Sequence, residues 1–204
     1  MKQQIVAIHG GNTFESYGEY ISSLKNREID LEYLRSKPGW KNSLAADLGP
    51  DFDVLMPLMP NPSNAQYAEW KIWIERILAL LDDNAIFIGH SLGAIFLAKY
   101  FSENKTSNKI KAAILISAPF DDEGSEEKLA SFALAGSMEK FSQQVGQIYL
   151  LQSKDDPVVD FAQVEKYQKA LPGAKTIIFA DRGHFNTETF PEIVELIKGI
   201  ASSL

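Results

Sequence analysis

Six short apolar runs, separated by longer stretches with helical spacing, constrain this chain more than any other feature. The runs lie at Ile5 to Ile8, Asp53 to Met56, Ala85 to Ile88, Ile110 to Ile116, Gln147 to Gln152 and Lys175 to Phe179. A strand that is apolar on consecutive residues is buried on both faces, which is the condition of a parallel sheet covered by helices on each side. Between and after the runs, Trp70, Trp73, Ile74, Ile77, Leu78 and Leu81 follow i, i+3, i+4 spacing, and Phe190, Ile193, Val194, Ile197 and Ile200 repeat it. Each such stripe belongs against a sheet. Pro191 suits the first turn of the last helix, where its missing N–H would have no partner inside the helix. The expected fold class is α/β, a three-layer α/β/α sandwich around a mostly parallel six-stranded sheet, with ligands held at the carboxyl ends of the strands.

The chain has 204 residues, enough for one well-filled core, and is read as a single domain over 1–204. Its net charge of −7 argues against nucleic acid and against anionic lipid, both of which attract basic surfaces. No cysteine is present, so disulfides, thiol catalysis and thiolate metal sites drop out, and a cytoplasmic address is permitted. Only the four apolar residues Ile5 to Ile8 follow Met1-Lys2-Gln3-Gln4, far short of a signal-peptide core or a membrane span. Three scattered histidines offer no metal cluster, and no glycine-rich dinucleotide fingerprint opens a helix, so neither metal nor cofactor is expected.

Two connections are longer than a crossover requires. In the first, Gly10 to Pro50, the residues Phe14, Tyr17, Ile21 and Leu24 predict an amphipathic helix before a crossover helix at Trp40 to Leu48. This insertion, over 12–39, reads equally as a lid over the site and as plain core. The second, Pro119 to Gly146, opens with Asp121, Asp122, Glu123, Glu126 and Glu127, which would complement a helix N-terminus.

The chemistry centres on Gly89-His90-Ser91-Leu92-Gly93, which follows the third apolar run and precedes the apolar helix of Ala94, Leu97, Ala98 and Phe101. A serine on a tight strand-to-helix turn needs small neighbours two residues away, so that strand and helix can approach and its Oγ can stand clear. With glycine near ~7% of residues and serine similar, the bare pattern arises by chance in roughly one chain in fifteen of this length, so its context decides. A serine nucleophile needs a base, and the base needs a partner that holds its tautomer. His9 ends the first strand and His90 sits in the turn itself. That leaves His184, in Asp181-Arg182-Gly183-His184-Phe185 just past the sixth run.

For the acid, Ser153-Lys154-Asp155-Asp156-Pro157-Val158-Val159 follows the fifth run, which gives the chain order serine, acid, histidine. Asp156 is preferred, while Asp155 and Asp160 better suit a turn and a helix cap. Asp121 and Asp122, after the fourth run, are the remoter alternative. For the developing oxyanion, the Leu92 amide lies at a helix N-terminus, and a second amide is expected from His9-Gly10-Gly11-Asn12, either Gly11, which is preferred, or Asn12.

Gly89 to Gly93, the Ser153 to Val159 loop, and Gly183-His184-Phe185-Asn186 with Phe190-Pro191-Glu192 together resemble the small serine hydrolases grouped with the retinoblastoma-binding hydrolase and the bacterial YdeN-like proteins. Met56-Pro57-Leu58-Met59-Pro60 followed by Trp70 resembles the same family. The resemblance covers most of the chain after residue 50. It implies the minimal α/β-hydrolase fold with strand order 2-1-3-4-5-6, a triad at Ser91, Asp156 and His184, and activity on small carboxylic esters. The stretch from Thr13 to Gly39 runs longer than the family pattern. Rival readings on the same residues are a thioesterase, perhydrolase or carbon–carbon hydrolase, and a non-catalytic member of the fold that binds a protein partner.

Overall fold

The computed structural model describes residues 2–35, 38–123 and 128–203. Six strands form one sheet: β1 (Gln3–Ile8), β2 (Phe52–Leu55), β3 (Ala85–His90), β4 (Ile110–Ile116), β5 (Val145–Ser153) and β6 (Lys175–Phe179). Their order is β2-β1-β3-β4-β5-β6, and every pairing is parallel. Strand ends differ slightly from the apolar runs because ladder bonding, and not hydropathy, sets them. Thus β5 starts two residues early, where Val145 pairs with Ile110, and β3 runs on to His90, which pairs with Ile116.

Eight α-helices accompany the strands among the described residues: α1 (Tyr17–Asn26), α2 (Leu31–Leu34), α3 (Trp40–Leu48), α4 (Tyr67–Leu78), α5 (Leu92–Glu103), α6 (Glu139–Gln144), α7 (Ala162–Ala170) and α8 (Pro191–Ser202). Alternate strand residues divide the core in two. Ile5, Ala7, Ile86 and Ile88 pack with Trp40, Leu44 and Leu48 of α3 and with Ile193, Ile197 and Ile200 of α8. Val6, Ile8 and Phe87 face the other way, against Trp70, Ile74 and Leu78 of α4, the apolar length of α5, Phe141 of α6 and Val164 and Tyr167 of α7. None of the helices is long and apolar enough to cross a membrane.

Three expectations change. The helix drawn from Phe14, Tyr17, Ile21 and Leu24 exists as α1, but none of its residues is buried, and Tyr17 and Leu24 are 70% and 50% exposed. Periodicity says which residues share a face, and here Ile21 of that stripe is half-buried while Tyr17 and Leu24 at its ends stay exposed. On α4 the buried stripe is Trp70, Ile74 and Leu78, spaced i, i+4, i+8, while Trp73 sits beside it at 40% exposure. The acidic stretch after β4 does not begin a helix at its described residues. Asp121 bonds Lys166 of α7 at 2.7 and 2.8 Å, and Asp122 accepts the Leu129 amide at 2.7 Å. Glu126 and Glu127 lie outside the described residues.

Candidate active site

Ser91 joins β3 to α5 with φ 55° and ψ −122°, a left-handed conformation that costs a non-glycine residue on the order of 1–3 kcal/mol. The surrounding packing enforces it. The Ser91 amide donates to the Ile116 carbonyl at 2.9 Å, which continues the β3–β4 ladder past the end of the strand. A Cβ on Gly89 would stand 2.5 Å from the Gly93 carbonyl oxygen, and one on Gly93 would stand 2.5 Å from the carbonyl oxygen of His9. Only glycines let α5 begin this close to β1 and β3.

At the neighbouring strand ends the chain brings Asp156 and His184 together. Nδ1 of His184 lies 3.0 Å from each carboxylate oxygen of Asp156. The Asp156 side chain is 0% exposed and that of His184 10%. Burial alone would raise the carboxyl's pKa, but hydrogen bonds from His184, from the Ser117 hydroxyl at 2.7 Å and from the Val159 amide at 3.0 Å outweigh it. The net result is a carboxyl held below its ordinary range. The Val158 amide adds a further bond at 2.9 Å. Because an ionised carboxylate only accepts, this geometry places the imidazole proton on Nδ1 and leaves Nε2 with its lone pair.

The alternative acids are occupied elsewhere. Asp155 accepts the Ser153 hydroxyl at 2.5 Å and the Gly183 amide at 2.9 Å, so it braces the loop that carries His184. Asp160 accepts the Ala162 amide at 2.7 Å at the start of α7. Asp121 faces Lys166 and Gln163.

The two other histidines bond to neighbouring groups. His9 accepts the Met59 amide on Nε2 at 2.9 Å and turns Nδ1 to the Gly10 carbonyl at 2.6 Å. His90 donates from Nε2 to the His184 carbonyl at 2.8 Å, and its Nδ1 accepts from the Lys41 ammonium at 2.9 Å. Burial first, then the positive charge of Lys41, pushes the His90 pKa well below its ordinary value and keeps the ring neutral. His90 thus ties the serine turn to the histidine loop, and the two rings stand 4.8 Å apart. Trp40 adds a second tie, from Nε1 to the Phe185 carbonyl at 2.9 Å.

Gly10 passes close enough to Ser91 that a Cβ there would stand 3.2 Å from the serine Cβ. Gly11 packs between the Pro62 carbonyl and Leu92, while the Asn12 amide donates to that same carbonyl at 2.9 Å. The Leu92 amide belongs to the first turn of α5, where amides have no acceptor inside the helix. Among the described residues, no group of three or more His, Asp or Glu side chains is arranged to hold a metal ion.

Sequence reasoning missed Ser117, Lys41 and Trp40. A serine that closes the apolar run Ile114-Leu115-Ile116 at the carboxyl edge of the sheet was a visible signal for the first. The other two lie on α3, whose place against the histidine loop comes only from tertiary packing.

Residues 35–197 match the family described as Serine hydrolase. The serine hydrolase RBBP9 of Rattus norvegicus is 33% identical over 153 residues, covering 74% of this chain and 79% of that protein. Among solved structures, the ydeN gene product of B. subtilis superposes with a TM-score of 0.73 at 19% identity, over 99% of this chain and 100% of the other. The esterase RhEst1 of Rhodococcus sp. ECU1013 gives 0.64 at 14% identity, over 98% and 91%. These two likenesses bear on the fold, which is that of the α/β hydrolases. With most of its length matched and a relative one-third identical, this chain belongs to the serine hydrolase family.

Proposed function

We propose that the protein hydrolyses small carboxylic esters through an acyl-enzyme on Ser91. The observation that carries this reading is the pairing of His184 Nδ1 with both oxygens of Asp156, whose side chain is buried, in a loop whose His184 carbonyl is bonded by His90, the residue before the strained Ser91. His184 Nε2 takes the Ser91 proton as Oγ bonds to the ester carbonyl carbon. The carbonyl oxygen becomes an anion held by the amides of Leu92 and Gly11; Asn12 is the weaker candidate because its amide already serves Pro62. Collapse of this intermediate breaks the bond to the alcohol, which leaves with the proton from His184. Water then gives a proton to His184 and its oxygen to the acyl carbon. Release of the carboxylic acid restores Ser91–OH. All of these steps use groups of this chain, the ester and water.

The test is labelling with a fluorophosphonate probe in wild type, Ser91→Ala and His184→Ala, followed by a panel of short-chain esters. Labelling of wild type that is lost in both variants is the expected result. A folded wild-type protein that does not label would overturn the mechanism and favour a protein-binding member of the fold.

A further inference from the structure

The helix α1 has an open cleft along its polar side. Glu19, Ser22, Ser23 and Asn26, spaced i, i+3, i+4, i+7, line a cleft of about 490 Å³ between α1 and the body, and Tyr17 is left largely in solvent. Helices that dock to stabilise a core turn their apolar stripe inward. On α1 Tyr20, Ile21 and Ser23 are half-buried and Glu19, Ser22 and Asn26 are exposed, so the polar wall of the cleft stays open to a polar ligand, and the volume falls within the usual range for one.

The same cleft carries two cationic side chains, Arg27 at the C-terminal end of α1 and Lys128 on the loop before Leu129. Arg27 gives one hydrogen bond to the Tyr33 hydroxyl at 3.2 Å, which leaves further donors of its guanidinium to spend. Glu19 supplies a carboxylate, but one that accepts the Glu15 amide at 3.0 Å at the start of the helix. Thr13 and Lys128 form the wall between this cleft and a second, much smaller one of about 20 Å³ that contains Ser91. Gly11, Leu92, Leu129, Val158 and Val159 also line the smaller one. A site needs roughly 10–15 Å³ by this measure to take one water, so 20 Å³ holds about one methyl-sized group next to the reacting carbonyl.

The geometry points to a substrate class: acetyl-sized esters of an alcohol that carries an anionic group, with the acyl part beside Leu129 and Val159 and the anion in the α1 cleft near Lys128 and Arg27. This inference rests on the proposed hydrolase reading and goes beyond it. The smaller pocket suits the acyl group, which stays on Ser91, and the larger cleft suits the leaving alcohol, which must reach solvent. A carboxylate and a phosphate would both meet these cations, and the two are separated by the choice of alcohol.

The experiment compares kcat/KM for 4-acetoxybutanoate with its neutral amide, and for 1-acetylglycerol 3-phosphate with 1-acetylglycerol. With two cations acting together on one anion, the anionic member of at least one pair is expected to lead by roughly three- to tenfold at low salt, and the lead to shrink as salt is added. Lys128→Met and Arg27→Met are expected to lower that ratio, and Lys128→Arg to keep it. Fluorophosphonate labelling of each variant shows that the site remains assembled. In a p-nitrophenyl series, acetate is expected to exceed hexanoate by tenfold or more, and Leu129→Ala to narrow that gap. Labelled wild type with no anionic preference in either pair, or with hexanoate cleaved as fast as acetate, would overturn this inference while the hydrolase reading stands. Failure of wild type to label would overturn both.

Discussion

The hydroxyl of Ser117 donates to Oδ2 of Asp156 across 2.7 Å, from a residue held at φ 46° and fully buried at the end of β4. A serine from one strand end thus holds the carboxylate of the next, on the side away from the Val158 and Val159 amides. Hydrogen bonds to charged groups contribute about 1.5–3 kcal/mol. Ser117→Ala is therefore expected to lower kcat roughly tenfold with little change in KM. The depressed Asp156 pKa contributes stability that is present above its ordinary value near 3.8 and is lost as pH falls through the lower folded value. Without Ser117 the folded value rises toward the ordinary one, so the acid loss of stability from this group in Ser117→Ala should be smaller than in wild type and complete at a higher pH. Denaturant midpoints between pH 3 and pH 7 check this.

Asp156→Asn is expected to cost on the order of 10⁴ in kcat, because an amide in that place can donate to Nδ1 and so stabilises the wrong imidazole tautomer. Steady-state hydrolysis of a short-chain ester measures it. A loss below tenfold would mean that His184 does not depend on this partner.

Lys41 gives a pH signature on the alkaline side. Burial lowers its pKa from 10.5 to about 8, and its ammonium lies 2.9 Å from Nδ1 of His90 and 5.5 Å from the centre of the Trp40 ring. Between these two pKa values the unfolded chain holds a proton that the folded protein has released, so stability rises with pH across that window. Lys41→Met should flatten the rise, as read from urea midpoints of the two proteins at pH 7.5 and pH 10.

Two glycines should respond in opposite directions. In Gly93→Ala the new methyl would meet backbone oxygens of His9 and Ile8 at 2.5 and 2.6 Å, neither of which can move aside as a side chain could. This variant is expected to lose several kcal/mol or to fail to accumulate. Gly199 lies in α8 on an exposed face, with nothing within 4 Å of a Cβ. Gly199→Ala is expected to stabilise by about 0.5–1 kcal/mol, because helical glycine carries the larger entropy cost. For a chain of this size that raises Tm by roughly 1–4 °C, measurable by thermal melting.

The sheet was legible because residues in β1 and β3 are apolar on both faces, so Ile5 and Val6 each declare a layer. His184 and Asp156 could be picked out because few residues of the required type stood at strand ends and the order along the chain limited the pairing. The shallow burial of α1 is not legible, since Tyr17, Ile21 and Leu24 form one stripe however much of it the body covers. Spacing places Trp73 with the core because a stripe inferred from spacing is wider than the line of contact, which here runs through Trp70, Ile74 and Leu78. Ser117 was overlooked because its partner is 39 residues further along the chain, and a serine after an apolar run reads locally as the start of a turn.

The contact of Gly93 with the carbonyls of Ile8 and His9 reaches beyond the turn that it shapes. Those carbonyls lead straight into Gly10 and Gly11, so the first turn of α5 and the segment after β1 are held apart by one hydrogen atom where any other residue would place a carbon. The approach of α5 to the end of β1 is therefore gauged by main chain against main chain at Gly93. Leu129, Val158 and Val159 line the pocket of Ser91 from other segments, so under the proposed function they are the positions to exchange for other acyl groups while that gauge keeps its setting.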